Sequence, residues 1–261
     1  MRKVIAPLIL TVILIAAALF PGCALTGSSV VTEEKDFTGF TDIDVGSIFE
    51  VDITRSDSFS VNISADESLL DYVDVSQVGG RLSISLQPRQ VFTDFTLQAR
   101  TLKAEITMPL LLGLNLSGAS TGTVSGFKSA NDFNLDISGA SSLKMTDIEV
   151  GAAELAISGT GKISGDMKAR DTKLAVSGAS QVELVGSANT AVLNASGASK
   201  IDLTNFTLGY ASISLSGASE ATVNVKERVD IVVSDASRLY FLGNPTMGNI
   251  SVTGASTVKH K

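Results

Sequence analysis

A chain of 261 residues has room for one large domain or two, and 44% apolar residues with no tryptophan fit a core of narrow aliphatic stacks. A formal net charge of −7 excludes a nucleic-acid partner, which needs a basic footprint. One cysteine and one histidine exclude a zinc site.

Residues 1–22 read as a signal peptide: Arg2 and Lys3 precede an apolar run from Val4 to Phe20, and small residues come next. The only cysteine, Cys23, stands at the expected cleavage point, where it has no partner for an internal disulfide. Leu19-Phe20-Pro21-Gly22-Cys23 resembles a bacterial lipobox, with Phe20 and Pro21 departing from the usual pattern. Cys23 is therefore the candidate lipidation site; a plain cleaved signal and an uncleaved anchor are the alternatives. Residues 23–36 would then be lipid anchor and tether, because Ala24 to Lys35 is polar and lacks a packing period. Without residues 1–22 the balance becomes 18 basic against 27 acidic, or −9. Twelve of the acidic residues fall between Thr32 and Ser76, opposed only by Lys35 and Arg55. Carboxylates spread on alternate strand positions form a solvated face, and no metal is expected there.

Residues 37–110 alternate in period two without a strict longer repeat, which predicts an N-terminal β cap continuous with the repeat region. Ile43-x-Val45, Gly46-Ser47 and Val51-x-Ile53 look like a degenerate first copy of the later repeat. Glu67 to Tyr72 has room for one helical turn, and Gly79-Gly80 between alternating runs is a hairpin signal. Gln87 to Arg100 reads as an excursion before a strand from Leu102 to Met108.

Residues 111–261 are organised by Ser-Gly-Ala-Ser and its near copies, which begin at Ser117, Ser138, Ser158, Ser177, Ser196, Ser216, Ser234 and Thr253. The successive differences are 21, 20, 19, 19, 20, 18 and 19 residues, the signature of a solenoid. Apolar residues stand three and one positions before each copy, as in Leu114/Leu116 and Leu155/Ile157. They return after it in the same two-residue step, as in Leu143/Met145 and Ile201/Leu203. This pattern predicts strand, turn and strand, and the coil closes into an all-β, right-handed parallel β-helix. The second position of each copy is the structural turn: Gly118, Gly139, Gly159, Gly178, Gly197, Gly217, Asp235 and Gly254. Glycine accepts positive φ, and aspartate is among the few other residues that tolerate it. The small third residue is expected to point inward at a crowded bend, with Ala198 buried. Phe127, Ile148, Met167, Phe206 and Met247 are expected to fill the interior of a third segment. Positions four residues after the first Ser should stack outward, with Glu220 between Lys200 and Arg238. Lys259-His260-Lys261 would place charge on the final edge and discourage end-to-end pairing.

Phe40-Thr41-Asp42-Ile43, Ala65-Asp66-Glu67-Ser68-Leu69-Leu70-Asp71-Tyr72-Val73, Gly79-Gly80-Arg81-Leu82, Ile106-Thr107-Met108-Pro109-Leu110 and the Ser-Gly-Ala-Ser copies occur in one order. That order is similar to the bacterial "putative auto-transporter adhesin, head GIN" domain family, from about Phe37 onward. The resemblance implies a secreted or surface-anchored β-helical protein and supplies no catalytic residues. No translocator barrel is expected from this sequence, so "auto-transporter" is not read literally.

The residues themselves argue against chemistry. Serine nucleophiles need an adjacent base, and the sole histidine, His260, sits in the terminal Lys-His-Lys. Glu183 and Asp202 would neighbour one another without forming a wider catalytic cluster. The expectation is an exported, envelope-anchored adhesion or interaction module without cofactor or metal, facing outside the cytoplasm. Its partners would be a surface protein or glycan and, through the lipid, a membrane. A structural spacer or envelope-stress lipoprotein is the alternative, and a polysaccharide-active enzyme a further one. Tyr210 and Tyr240 are the aromatic side chains in the repeats that could stack on a sugar.

Overall fold

The structure is a computed structural model that describes residues 29–87 and 101–261. Cys23, the expected signal peptide and residues 88–100 lie outside the described residues.

The repeat region begins with β8 (Gly113–Leu116), β9 (Thr121–Ser125) and β10 (Phe133–Ile137). Five long strands come next: β11 (Ser142–Ile157), β12 (Lys162–Val176), β13 (Gln181–Ala195), β14 (Lys200–Leu215) and β15 (Glu220–Val233). The last turns are β16 (Arg238–Leu242), β17 (Thr246–Val252) and β18 (Thr257–His260). Neighbouring coils pair in parallel throughout, which makes a β-solenoid. Each long strand bends, so one coil contributes to three faces. In β11, residues 142–145, 148–150 and 152–157 pair separately with 162–165, 167–169 and 171–176 of β12. These are the first, second and third faces, and a Ser-Gly-Ala-Ser corner joins the third face to the next coil's first.

Alternation puts one column of each strand inside. Leu114, Leu135, Leu155, Leu174, Leu193, Ile213 and Ile231 form one such stack, none more than 2% exposed. Full burial of a side chain of this size contributes about 1.5–3 kcal/mol. The matching outward column on the first face runs Thr121, Ser142, Lys162, Gln181, Lys200, Glu220, Arg238, Thr257 in direct register. Glu220 lies between Lys200 and Arg238, as the repeat alignment requires.

At the N-terminal end, chain order and stacking order part. β2 (Asp42–Val45) and β3 (Glu50–Arg55) sit directly beneath β8 and β9. Beneath them lie β6 (Arg81–Leu86) and β7 (Leu102–Met108), again parallel. The intervening chain reverses through β4 (Ser60–Asp66), the four-residue helix α1 (Glu67–Leu70) and β5 (Val73–Val78). β5 pairs antiparallel with β6 across the Gly79-Gly80 hairpin, and β4 pairs antiparallel with β7. Antiparallel strands thus form the outermost layer at this end.

Three expectations need correction. Residues 30–34, assigned to the tether of 23–36, form β1 (Val30–Glu34), antiparallel to β4. Val30, Val31 and Thr32 are β-branched and favour a strand, and β4 offers them an open edge. The third residue of the repeat points outward: Ala119, Ala140, Ala179, Ala198, Ala218 and Ala236 are all exposed. Alternation counted back from the next strand puts the fourth residue inside instead, and Ser120, Ser141, Ser180, Ser199, Ser219 and Ser237 are at most 2% exposed. Met247 is 39% exposed, unlike Phe127, Ile148, Met167 and Phe206, because it belongs to the final coil and no further coil covers it.

Candidate binding face

The corner is the most regular part of the coil. Gly118, Gly139, Gly159, Gly178, Gly197, Gly217 and Gly254 have φ between +69° and +77°, and Asp235 has φ +65°. The carbonyl of each corner residue accepts the N–H of the third repeat residue one coil later, as in Ala198 N–H to Gly178 O at 2.8 Å. A Cβ on Gly197 would press directly on that same Gly178 oxygen, so both the torsion and the stacking select glycine. Two corners manage without it. Asp235 uses its carboxylate to accept the Gly217 N–H at 2.9 Å, and Ser47, with φ +72°, uses its hydroxyl to accept the Leu86 N–H at 3.1 Å. Inside the corner the buried serines form a ladder. Ser180, Ser199 and Ser219 donate to the carbonyls of Ser177, Ser196 and Ser216 at 2.7–2.8 Å. The hydroxyls are consumed by the scaffold.

The first face is crossed by charge, and two of its aspartates, Asp52 and Asp202, are held by neighbours. Asp52 accepts from Thr123 Oγ1 at 2.6 Å and pairs with Lys103 at 2.9 Å. The Thr123 hydrogen bond, followed by the Lys103 contacts, holds its carboxyl below the usual aspartate range. Glu183 and Asp202 are register partners, as expected. Asp202 is turned onto the Thr204 N–H at 2.9 Å, and its contacts with Thr204 lower its pKa. Tyr240 lies beneath Lys261, whose Nζ is 4.4 Å from the ring centre, so one face of the ring is taken by the lysine. Tyr210 is 50% exposed, and its hydroxyl is held by Glu227, which raises its pKa. His260 bonds Gly243 O at 2.7 Å through Nε2 and faces no nucleophile.

The third face differs. Its outward residues include a run of small and amide side chains in register: Asn115, Asp136, Ala156, Ala175, Asn194 and Ser214. Shallow depressions succeed one another along it. The first, about 390 Å³, is lined by Asp42, Arg81, Gly113, Asn115, Asn134 and Glu154, among others. Gly113 lets the Asp42 carboxylate lie against the backbone there; a Cβ would collide with Asp42 Oδ1. The second, about 370 Å³, runs over Asp136, Ala156, Ala175, Asn194 and Ser214. The third, about 230 Å³, lies beside Asp132, Glu154, Asp171, Lys173 and Thr190. Glu154 and Lys173 pair at 2.6 Å between them. Arg170 and then Thr190 hold the Asp171 carboxyl below its ordinary range, so it is an anion at neutral pH. A depression of about 640 Å³ on the second face is lined by Lys128, Glu149, Lys168 and Arg170.

The third face therefore offers amide donors, carboxylate acceptors and a guanidinium on a pitch of about 4.8 Å. Such an array suits hydrogen bonding to an extended polar ligand. Among the described residues no cluster of three or more metal-ligating side chains occurs, and no helix is long and apolar enough to cross a membrane. Sequence reasoning did not find this face. Asp42 and Arg81 come together only because β6 stacks under β2, an order that the repeat does not encode. Gly113, against which the Asp42 carboxylate rests, lies outside the Ser-Gly-Ala-Ser motif.

Several solved structures share the fold. A "putative adhesin" from Parabacteroides merdae superimposes with a TM-score of 0.81 at 16% identity, over 89% of this chain and 96% of that one. One from Parabacteroides distasonis gives 0.79 at 14% identity, over 90% and 98%. A "putative lipid binding protein" from the same organism gives 0.71 at 17% identity, over 89% and 96%. These identities carry the fold and not the function. No curated protein matches the chain. Residues 39–245, from the first buried core strand to the penultimate coil, match the family described as "Putative auto-transporter adhesin, head GIN domain", and the chain belongs to that family.

Proposed function

We propose that the chain is an exported, envelope-anchored interaction module that adheres through the third face of its solenoid and carries out no catalysis. The observation behind this reading is the continuous line of depressions from Arg81 to Ser214, framed by carboxylates and amides. The ligand class it favours is a hydroxyl-rich glycan or a polar surface segment, because the face lines up hydrogen-bonding groups in register, with the alanines and the exposed Val192 and Val232 between them for a sugar's apolar side. The family name supports adhesion as the role. Anchoring would come through a lipid on Cys23, with the solenoid as a stiff platform outside the cytoplasm.

The test pairs binding with processing. Labelled full chain should be retained on a printed panel of glycans and matrix proteins. Asn194→Arg with Ser214→Arg should reduce retention at least tenfold, while Gln181→Arg on the first face leaves it unchanged. Equal loss from both faces, or no retention on any spot, contradicts the assignment. Cys23→Ser should remove lipid mass from the N-terminus; a membrane form that still begins at Met1 contradicts the anchor.

A further inference from the structure

The two ends of the solenoid are built differently. At the C-terminal end, Ile250 and Val252 are 51% and 44% exposed, although they continue inward columns whose other members are buried. Met247 is exposed beside them, and the Ser256 hydroxyl, next in the buried serine ladder, is enclosed without a hydrogen-bond partner. Among the described residues β17 pairs only with β15 and β18 only with β16, so each leaves one edge open. Among the described residues the N-terminal end also leaves two open edges, those of β5 and β1.

The sheets place these edges in matching positions. β5 and β17 bound the sheet built on β2, β6 and β8, whereas β1 and β18 bound the sheet built on β3, β7 and β9. Two antiparallel steps, β7 to β4 and β4 to β1, leave β1 running in the same direction as β18. A second rod placed end-on would set its β1 beside β18 in parallel and its β5 beside β17 antiparallel.

Charge decides between the possible end-on contacts. Residues 243–261 contain Lys259, His260 and Lys261 and no Asp or Glu. At the N-terminal end β1 carries Glu33 and Glu34, α1 and the residue after it Glu67 and Asp71, and β5 Asp74, against Lys35, which is paired with Glu33, and Arg81 and Lys103 on β6 and β7. Two C-terminal ends would oppose their lysines, which is how edge lysines block pairing between like ends. A C-terminal end against an N-terminal end brings opposite charges together and steers the encounter.

We propose that copies of this chain stack head to tail, the uncovered last coil of one rod docking on the acidic β1/β5 end of the next. The contact is heterologous, so it propagates into a linear array and does not stop at a dimer.

Sedimentation velocity of the full chain in mild detergent tests it. At low ionic strength the proposal requires species larger than dimers that grow with concentration and recede as salt screens the charges. Ile250→Lys should weaken association at least tenfold while leaving the melting temperature within error, since Ile250 is half exposed in the single rod. Lys259→Glu with Lys261→Glu, and separately Glu33→Lys with Glu34→Lys, should each abolish self-association, and mixing the two variants should restore a complex. A monomer at every concentration overturns the proposal. So does association that stops at a dimer and strengthens in the Lys259→Glu/Lys261→Glu variant, which would mark a tail-to-tail contact.

Discussion

Gly197 and Asp235 occupy the same corner two coils apart and solve the same problem differently. Glycine avoids the Cβ that would press on the Gly178 carbonyl, whereas Asp235 keeps its Cβ and recovers a hydrogen bond from the Gly217 N–H. Gly197→Val should therefore destabilise the protein by more than the roughly 1–2 kcal/mol of the torsion alone. Gly197→Asp should lose less, because its carboxylate can accept the Gly178 N–H as Asp235 accepts that of Gly217. Urea unfolding of the two variants checks this, and equal losses would show that the side-chain hydrogen bond is not what rescues the corner. The requirement for positive φ is legible in the sequence, since aspartate replaces glycine in a single copy. The direction of the neighbouring alanine is legible too, but through alternation and not through size. Smallness suggests burial, while the period of two counted back from Leu143 or Ile201 points to the serine. Ala198, being exposed, tolerates enlargement that Ser199 does not.

At the scale of strands, parallel stacking makes each residue a member of a column, and the columns carry the electrostatics. Lys103, Asp52 and Thr123 meet across three coils that are remote in sequence, because β7, β3 and β9 are neighbours. The Asp52 carboxyl is depressed by Thr123 and Lys103, so its contribution to stability is present above the unfolded aspartate value of about 3.9 and lost as pH falls below it. Asp52→Asn should lower the melting temperature modestly at neutral pH and flatten the fall below about pH 4, so that the two profiles converge in acid. A wild-type profile with the same slope as the variant's would show that Asp52 contributes nothing to acid sensitivity. The strict columns from Thr121 onward are readable from the period. The pairing of β2 with β6 is not, because β4, α1 and β5 reverse the chain between them and no repeat marks the reversal. For the same reason the third face, whose first depression needs both Asp42 and Arg81, emerges only from the fold.

For the whole molecule, a single stacked rod underlies every functional feature: it aligns the third face, buries the serine ladder and separates an acidic end from a basic one. Solenoid stability is a sum of local coil terms, so a rod interrupted at any coil would lose alignment beyond it. Gly161, which replaces the ladder serine in one copy, keeps its strand in register with the coils on either side. The most direct measurement is a set of spin-label distances along the outward column of the first face, on full chain labelled at Thr121 paired with Lys162, Lys200 or Arg238. Those pairs are two, four and six coil steps apart. Uninterrupted stacking predicts backbone separations of about 10, 19 and 29 Å, rising linearly with narrow distributions. Distances that stop rising with coil number, or broaden beyond Lys162, would contradict the rod and every face defined on it.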